Sequence, residues 1–198
     1  QTPQGIAALV FPRVASFDDL VRGCPLVVVL VGVQDPGNVG AILRTAEAFG
    51  ATGAATCAWG GLGTANPLSP KALRASAGSA LRLPLVQRVA APVLLAQLRV
   101  TGVKLYAASP RKHSSANQKG RALHPWEADL RGPSALLVGN EGAGLPLELQ
   151  SSADALVRIP LESGVESLNA AVATSVLLYE AARQRGSDAP GLGADRPE

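Results

Sequence analysis

The sequence predicts an α/β fold built on an open parallel sheet. Apolar runs of strand length alternate with stretches of helical periodicity along most of the chain. One run, Leu26–Val33, is apolar at odd and even positions alike, which is typical of a strand buried on both faces of a parallel sheet. Three loops that follow strands, 34–40, 139–144 and 160–169, contain glycine and a few polar residues. We expect these loops to meet at the carboxyl ends of the strands and to form a ligand site there.

The first unit of this fold is a strand, a helix and a second strand. The strand Leu26–Val33 ends at residues 34–38, a turn sequence that contains proline and glycine. Apolar residues at helical spacing then predict a helix over Val39–Phe49, and Gly50 provides its carboxyl end. A strand over Gly53–Ala58 completes a βαβ unit.

The same alternation returns in the second half of the chain. The predicted elements are a helix over Pro92–Arg99, strands over Val103–Ala108, Ser134–Val138 and Ala155–Ile159, and a short helix over Pro146–Ser151. A long helix is predicted to follow Ser167, which can cap it, and to end near Arg185. This last helix is apolar nearly all round and needs cover on more than one side. A subunit interface or a position inside one chain would both provide that cover.

Length and composition predict one compact domain. The chain has 198 residues, of which 47% are hydrophobic, and no apolar run reaches the roughly 18 residues that span a membrane. No signal-peptide pattern opens it, and Cys24 and Cys57 stand apart as expected for small core residues, so we expect a cytoplasmic protein. We assign residues 1–22 to an N-terminal linker, 23–185 to the folded domain and 186–198 to a disordered tail.

Basic residues are concentrated in the middle of the chain. Between Glu47 and Glu127 there is no acidic residue, whereas ten lysines and arginines fall in that stretch. Clustered positive charge favours a polyanionic partner, because a phosphate backbone attracts lysine and arginine. An ordinary solvated basic face is the alternative interpretation.

The usual motifs of nucleotide binding and covalent catalysis are absent. The glycines of the first loop do not form GxGxxG, no P-loop is present, and Glu141 stands where a hydrolase would carry its serine. Neither His113 nor His124 has a partner at metal-ligand or triad spacing. The remaining polar groups suit positioning and electrostatic stabilisation. A flavodoxin-like nucleotide domain remains an alternative.

Three segments, in order, resemble the motifs of the SpoU/TrmH-type RNA methyltransferases. Residues Asn38–Ala46 (NVGAILRTA) are similar to the first motif, NxGxxxRTA, and Gly139–Leu145 (GNEGAGL) are similar to the second. Ile159–Leu161 together with Gly164–Ala173 resemble the third. The ordered set of three is far more specific than any one of them, and it looks most like the rRNA-directed members.

The resemblance implies a SPOUT fold, in which the C-terminal part of a parallel α/β sheet forms a deep trefoil knot. It also implies S-adenosylmethionine bound in the knot, a homodimer with sites at the interface, and methylation of a ribose 2'-hydroxyl in RNA. The substrate it indicates is 23S-type ribosomal RNA; a tRNA substrate and a non-catalytic RNA-binding member of the fold are the alternatives. No metal is expected, because a sulfonium methyl group is already electrophilic. Residues 2–7 resemble the junction that follows an RNA-binding module, so we expect such a module upstream.

Carried over by position, the resemblance implies two sets of site residues. The cofactor-binding set is Ala107, Ala108, Ser109, Gly139, Asn140, Gly144, Ile159, Leu161 and Leu168. The catalytic set is Arg44, Asn38, Glu141, Ser167 and Asn169. We expect Arg44 to bind the target phosphate and stabilise alkoxide charge rather than act as the base, since an arginine pKa above ~12 makes the neutral form costly. We expect Asn38 to shape its turn, and Glu141 either to orient Arg44 or to hydrogen-bond within the knot.

Overall fold

The computed structural model describes residue 5 and residues 9–12, 14–109 and 122–186. The α/β class with a mostly parallel sheet is confirmed. The described residues leave out 110–121, which belong to the basic middle of the chain, 187–198 of the predicted tail, and part of the predicted linker.

The sheet has seven strands in the described part of the chain. They are β1 (Leu26–Val31), β2 (Gly53–Trp59), β3 (Leu62–Gly63), β4 (Leu85–Ala90), β5 (Lys104–Ala108), β6 (Ser134–Val138) and β7 (Ala155–Val157). Their order across the sheet is β7-β5-β6-β1-β2-β4, and these neighbours pair in parallel. Only the two-residue β3 runs antiparallel, against the end of β2. The predicted strands at 26–33 and 155–159 end earlier than expected, whereas Ser134–Val138 has the predicted bounds.

The part of the chain that the structure describes has seven helices, of which the first precedes β1 and the last follows β7. They are α1 (Phe17–Leu20), α2 (Pro36–Ala48), α3 (Pro70–Ser76), α4 (Ser79–Arg82), α5 (Ala91–Val100), α6 (Leu147–Ser152) and α7 (Ala170–Gly186), with a 3-10 turn at Pro125–Glu127. Helix α2 begins three residues before the predicted start. Pro36 suits the first helical position, and the side chain of Asp35 accepts a hydrogen bond from the Gly37 amide at 2.7 Å.

The core consists of one apolar layer on each face of the sheet. Alternate residues of β1 point to opposite sides, so Val28 packs with α2 and α7, and Val29 packs with α5. All six residues of β1 are buried, as its uninterrupted apolar run predicted. Cys57 is buried as expected for a core residue, and burial raises the pKa of its thiol to about 12. The same expectation was wrong for Cys24, which is exposed.

The start of α7 corrects one expectation from the sequence. Ser167 does not cap this helix, which begins at Ala170. The side chain of Asn169 caps it instead, accepting hydrogen bonds from the amides of Ala171 (2.9 Å) and Val172 (3.3 Å). Asparagine is among the best N-cap residues, and it directly precedes the first helical residue, whereas Ser167 lies two residues too early.

Helix α7 has apolar residues on its buried and its exposed sides. Leu177 and Leu178 are buried against the sheet, but Val172, Val176 and Tyr179 are 50%, 38% and 57% exposed. The fold of a single chain therefore buries only part of the apolar surface that the sequence predicted for this helix. None of the described helices is both long enough and apolar enough to cross a membrane.

Candidate active site

A pocket of about 330 Å³ lies at the carboxyl ends of β5, β6 and β7. The last residue of each strand, Ala108, Val138 and Val157, lines it, and α7 closes one side. This is the place where a parallel α/β sheet binds ligands. Eight of the nine residues expected to bind the cofactor line the pocket: Ala108, Ser109, Gly139, Asn140, Gly144, Ile159, Leu161 and Leu168. The ninth, Ala107, is fully buried inside β5 and does not line it.

The loop after β6 is folded tightly back on itself. The backbones of Asn140 and Gly144 exchange two hydrogen bonds, at 3.1 and 2.9 Å. A Cβ atom added at Gly139 would lie 2.3 Å from the carbonyl carbon of Gly144 and from the Leu145 nitrogen, so only glycine fits there. The Asn140 side chain also holds the loop, since its oxygen accepts from the amides of Gly142 and Ala143, both at 2.9 Å. Its amide nitrogen donates to the Gly32 carbonyl at 3.0 Å, which ties the loop to the end of β1.

Three residues of the expected catalytic set form a hydrogen-bonded chain beside the pocket. The carboxylate of Glu141 accepts from the Asn38 side chain at 3.0 Å. The Asn38 oxygen in turn accepts from the Asn169 side chain at 2.9 Å. These two hydrogen bonds connect the start of α2 to the loop after β6 and to the start of α7, although each bonded pair is more than 100 positions apart in the sequence. Ser167, also in the expected set, is exposed and lines the pocket.

Glu141 anchors the start of α2 in its ionised form. Burial alone would raise the pKa of its carboxyl group. Hydrogen bonds from the Gln34 amide, the Asn38 side chain and the Asp35 amide outweigh this, so the pKa lies below its ordinary value. The hydrogen bonds from the Gln34 and Asp35 amides to the Glu141 carboxylate oxygens both measure 3.0 Å. Of the two roles expected for Glu141, the structure shows hydrogen bonding within the loop network and no contact with Arg44.

Replacing Glu141 with glutamine should weaken the fold in a pH-dependent way. Glutamine turns one acceptor oxygen into a donor that faces N–H groups. Because Glu141 is exposed, water offsets part of this loss, so the free energy of unfolding should fall by about 0.5–1 kcal/mol at pH 7. Because the folded-state pKa of Glu141 is depressed, its contribution is present above the unfolded-state value of 4.5 and is lost as the pH falls through the folded-state pKa. Denaturant titrations at pH 7 and pH 3.5 check this: the difference between wild type and variant should shrink at the lower pH. An equal difference at both pH values would contradict the proposed ionisation.

Arg44 stands apart from the other residues of the expected catalytic set. It lies on α2, six residues beyond Asn38 and therefore about 9 Å further along the helix axis. It is exposed, it does not line the pocket of its own chain, and no described residue forms an ion pair or hydrogen bond with it. One turn earlier, Gly40 packs so closely on α3 that an added Cβ would lie 2.3 Å from the Ala72 carbonyl oxygen. That contact fixes α2, and with it the position from which Arg44 projects.

Several pocket residues were not foreseen from the sequence. Thr174 and Leu177 line the pocket one and two turns after Ala170 on α7, so helical spacing could have indicated them. Gln150 lines it from α6, and its side chain donates to the Leu145 carbonyl at 2.7 Å. Nothing in the sequence around Gln150 signals this position. Among the described residues, no group of three or more His, Cys, Asp or Glu could hold a metal ion.

The fold and pocket define a class of protein: an α/β protein with a ligand site of glycine loops at the carboxyl edge of a parallel sheet. The chain belongs to the SpoU rRNA Methylase family, whose sequence profile matches residues 25–179. The matched region contains the pocket and the hydrogen-bonded chain from Glu141 to Asn169.

Individual relatives support this assignment. An uncharacterized tRNA/rRNA methyltransferase of Synechocystis sp. is 38% identical over 96% of this chain and 64% of its own length. The 23S rRNA (guanosine-2'-O-)-methyltransferase RlmB of Xanthomonas campestris is 39% identical over 84% of this chain and 62% of its own. The crystal structure of AviRb, a SpoU methyltransferase of Streptomyces viridochromogenes in complex with AdoMet, is 31% identical with a TM-score of 0.75, over 88% of this chain and 66% of that one. The chain thus spans less than two thirds of each.

Proposed function

We propose that this chain methylates a ribose 2'-hydroxyl in RNA with S-adenosylmethionine as methyl donor. The observation that carries the proposal is the joining of all three family motifs at one pocket through Asn38, Glu141 and Asn169. The relative named for 2'-O-methylation, and the AdoMet complex of a structural neighbour, support it.

The pocket suits the proposed cofactor. Its volume falls within the range of small-molecule sites, about 300–1,000 Å³. Ile159, Leu161 and Leu168 give it partly buried apolar walls for the adenosine, while the loop at Gly139 and the ends of the strands offer backbone groups for polar contacts. When bound, the cofactor supplies an electrophilic methyl group. The protein would mainly hold the ribose oxygen in line with it.

We propose that Arg44 completes the site of a second copy of this chain. Its guanidinium would bind a phosphate of the RNA and stabilise the charge that develops on the ribose oxygen. In one chain Arg44 is exposed and outside the pocket, which supports a position at an interface. Ala48, one turn beyond Arg44 on α2, is also exposed, and its small side chain leaves room for a partner.

A homodimer through α2 and α7 would also cover the exposed apolar residues of α7. The two helices form one layer, because Ser175 donates to Thr45 at 3.2 Å and the rings of Phe49 and Tyr179 lie edge to face at 5.9 Å. Val172, Val176 and Tyr179 are exposed on this layer at helical spacing. Apolar side chains so arranged favour a symmetric contact with another copy.

We further propose that the segment after β7 belongs to the knot implied by the resemblance. Strand β7 pairs with β5, while α7 packs on α2 and β6. Residues 158–169 must therefore cross the carboxyl ends of β5 and β6 on their way to α7. The cytoplasmic location, the upstream RNA-binding module and the metal-free reaction stay predictions.

Two measurements test the proposed function. Calorimetry should detect binding of S-adenosylmethionine, and methyl transfer to unmodified 23S rRNA should produce a 2'-O-methylated nucleoside. Unmodified tRNA in parallel distinguishes the two RNA classes, and modification of tRNA alone would replace the rRNA assignment. Cofactor binding without transfer to either RNA would favour a non-catalytic RNA-binding member, and no cofactor binding would contradict the proposal.

A further inference from the structure

A second group of polar and aromatic side chains lies at the β7 edge of the sheet. There Leu123 pairs in parallel with Val157: the Leu123 amide donates to Leu156 and the Arg158 amide donates to Leu123, both at 2.8 Å. Leu123 and Val157 both pack in the core layer of α2 and α7. Because side chains alternate along paired strands, the next two residues, His124 and Arg158, lie side by side on the opposite face.

Both of these side chains have a nitrogen without a partner among the described residues. His124 Nδ1 and Arg158 Nε are buried, and no described residue forms a hydrogen bond with either nitrogen. Unsatisfied buried polar atoms are unfavourable and uncommon, so two in adjacent residues indicate an acceptor that a bound molecule would supply. Arginine Nε is only a donor, and a protonated Nδ1 is also a donor, so an anionic oxygen would satisfy both nitrogens.

An exposed tryptophan adjoins these two residues. The Trp126 ring stacks on the His124 ring, with centroids 4.8 Å apart and planes at 17°. Trp126 is nevertheless 59% exposed. The turn that carries it is held in place, because the His124 amide donates to the Glu127 carboxylate at 2.7 Å and the Glu127 amide donates to the His124 carbonyl at 2.9 Å. A fixed, exposed indole is a surface on which a nucleic-acid base can stack.

We propose that His124, Trp126 and Arg158, called the edge cluster here, bind one nucleotide of single-stranded RNA. The base stacks on Trp126, and its phosphate accepts hydrogen bonds from Arg158 and His124. Arg158 lies between Val157 and Ile159, which both line the pocket, so RNA bound at the edge cluster passes close to the proposed site of methyl transfer. This inference rests on the proposed function for its choice of RNA as ligand.

The charge of the surrounding sequence favours RNA over a peptide. Residues 110–121, which lead into the edge cluster, carry four basic residues and no acidic one. The acidic neighbour Glu127 is already engaged by the His124 amide. Phosphates bring the acceptors that the two nitrogens lack, and bases bring flat rings for the indole.

Tryptophan fluorescence tests the edge cluster directly, because the chain has only two tryptophans, Trp59 and Trp126. In a Trp59→Phe protein, titration with a six-nucleotide oligouridylate should quench the emission of Trp126.

Anisotropy of a dye-labelled oligonucleotide then gives affinities. Trp126→Ala should weaken binding about 5- to 150-fold, and Trp126→Phe should retain most of the affinity. Arg158→Met should weaken binding and lower the slope of log affinity against log salt by about one. Lys104→Met, at the amino end of β5, is the matched control for loss of an exposed charge and should change affinity less than Arg158→Met.

Separate readouts distinguish failure of the edge cluster from failure of the proposed function. Unquenched Trp126 emission with bound RNA, or an unchanged affinity in Trp126→Ala, would overturn the edge cluster even if methyl transfer is found. Saturable quenching that requires Arg158 would support it even if no methyl transfer is detected. Calorimetry with S-adenosylmethionine should give the same affinity for wild type, Trp126→Ala and Arg158→Met. A loss of affinity there would mean that the substitutions disturb the pocket, and it would contradict a separate RNA subsite.

Discussion

Replacing Arg44 with alanine is expected to lower kcat/KM for RNA methylation by about 10²–10³-fold. The guanidinium is the group we propose to stabilise charge on the ribose oxygen, and an alanine leaves that charge uncompensated. The folded state should be unaffected, since Arg44 is exposed and no described residue forms an ion pair or hydrogen bond with it. Steady-state kinetics with saturating S-adenosylmethionine measure the effect, and thermal unfolding checks the fold.

Two further variants make the Arg44 prediction specific. Arg44→Lys should remain strongly impaired, because a lysine keeps the charge but loses the planar fork that binds phosphate. Arg74→Ala, which removes another exposed arginine from α3, should stay within a few-fold of wild type. Near-full turnover by Arg44→Lys would contradict both a phosphate-binding and a charge-stabilising role.

Replacing Gly139 with alanine should destabilise the protein and impair the pocket. The added Cβ would lie 2.3 Å from backbone atoms of Gly144 and Leu145, and a backbone contact of that kind cannot be relieved by rotating a side chain. We expect the free energy of unfolding to fall by about 3 kcal/mol. We also expect affinity for S-adenosylmethionine to drop about 10²-fold, because the displaced loop lines the pocket.

The same loop provides a matched control for Gly139. An alanine Cβ at Gly142 would meet its nearest atom, Asn140 Oδ1, at an ordinary 3.7 Å. Gly142→Ala should therefore keep near-wild-type stability and cofactor affinity. Denaturant titration and calorimetry on both variants measure the contrast. Equal stability and affinity in the two would mean that the tight fold of this loop does not shape the site.

Periodicity predicted most of the strands that position the site, because a buried strand shows a pattern of apolar residues at consecutive positions of the sequence. Ser134–Val138 has the predicted bounds, and Gly53–Trp59 extends one residue past the prediction. Strand β4 (Leu85–Ala90) and helices α3 and α4 were not predicted. Only one of the six β4 residues is fully buried, so its apolar pattern is weak, and it contains Arg88 with a positive φ of 59°.

The motif positions indicated the pocket residues, but the contacts between motifs could not be predicted from spacing. The bonds of Asn38 to Glu141 and Asn169 join residues 103 and 131 positions apart, and no local pattern specifies such pairs. The expectation that Ser167 caps α7 was wrong for a local reason: serine and asparagine are both good N-cap residues, and the helix begins directly after Asn169. Arg44 shows a further limit, because the role that we propose for it in a neighbouring copy would leave no signal in the fold of one chain.

Mixing two inactive variants tests most directly whether two copies of the chain build each site. Arg44→Ala keeps the pocket, and Leu168→Trp keeps Arg44 but fills the pocket. If the chain forms the proposed dimer, unfolding and joint refolding at equal amounts would make half of the dimers mixed, and each mixed dimer would have one complete site. Methyl transfer by the mixture should therefore reach about a quarter of the wild-type rate. A mixture no more active than either variant alone would contradict the account and would place Arg44 at the pocket of its own chain or outside the reaction.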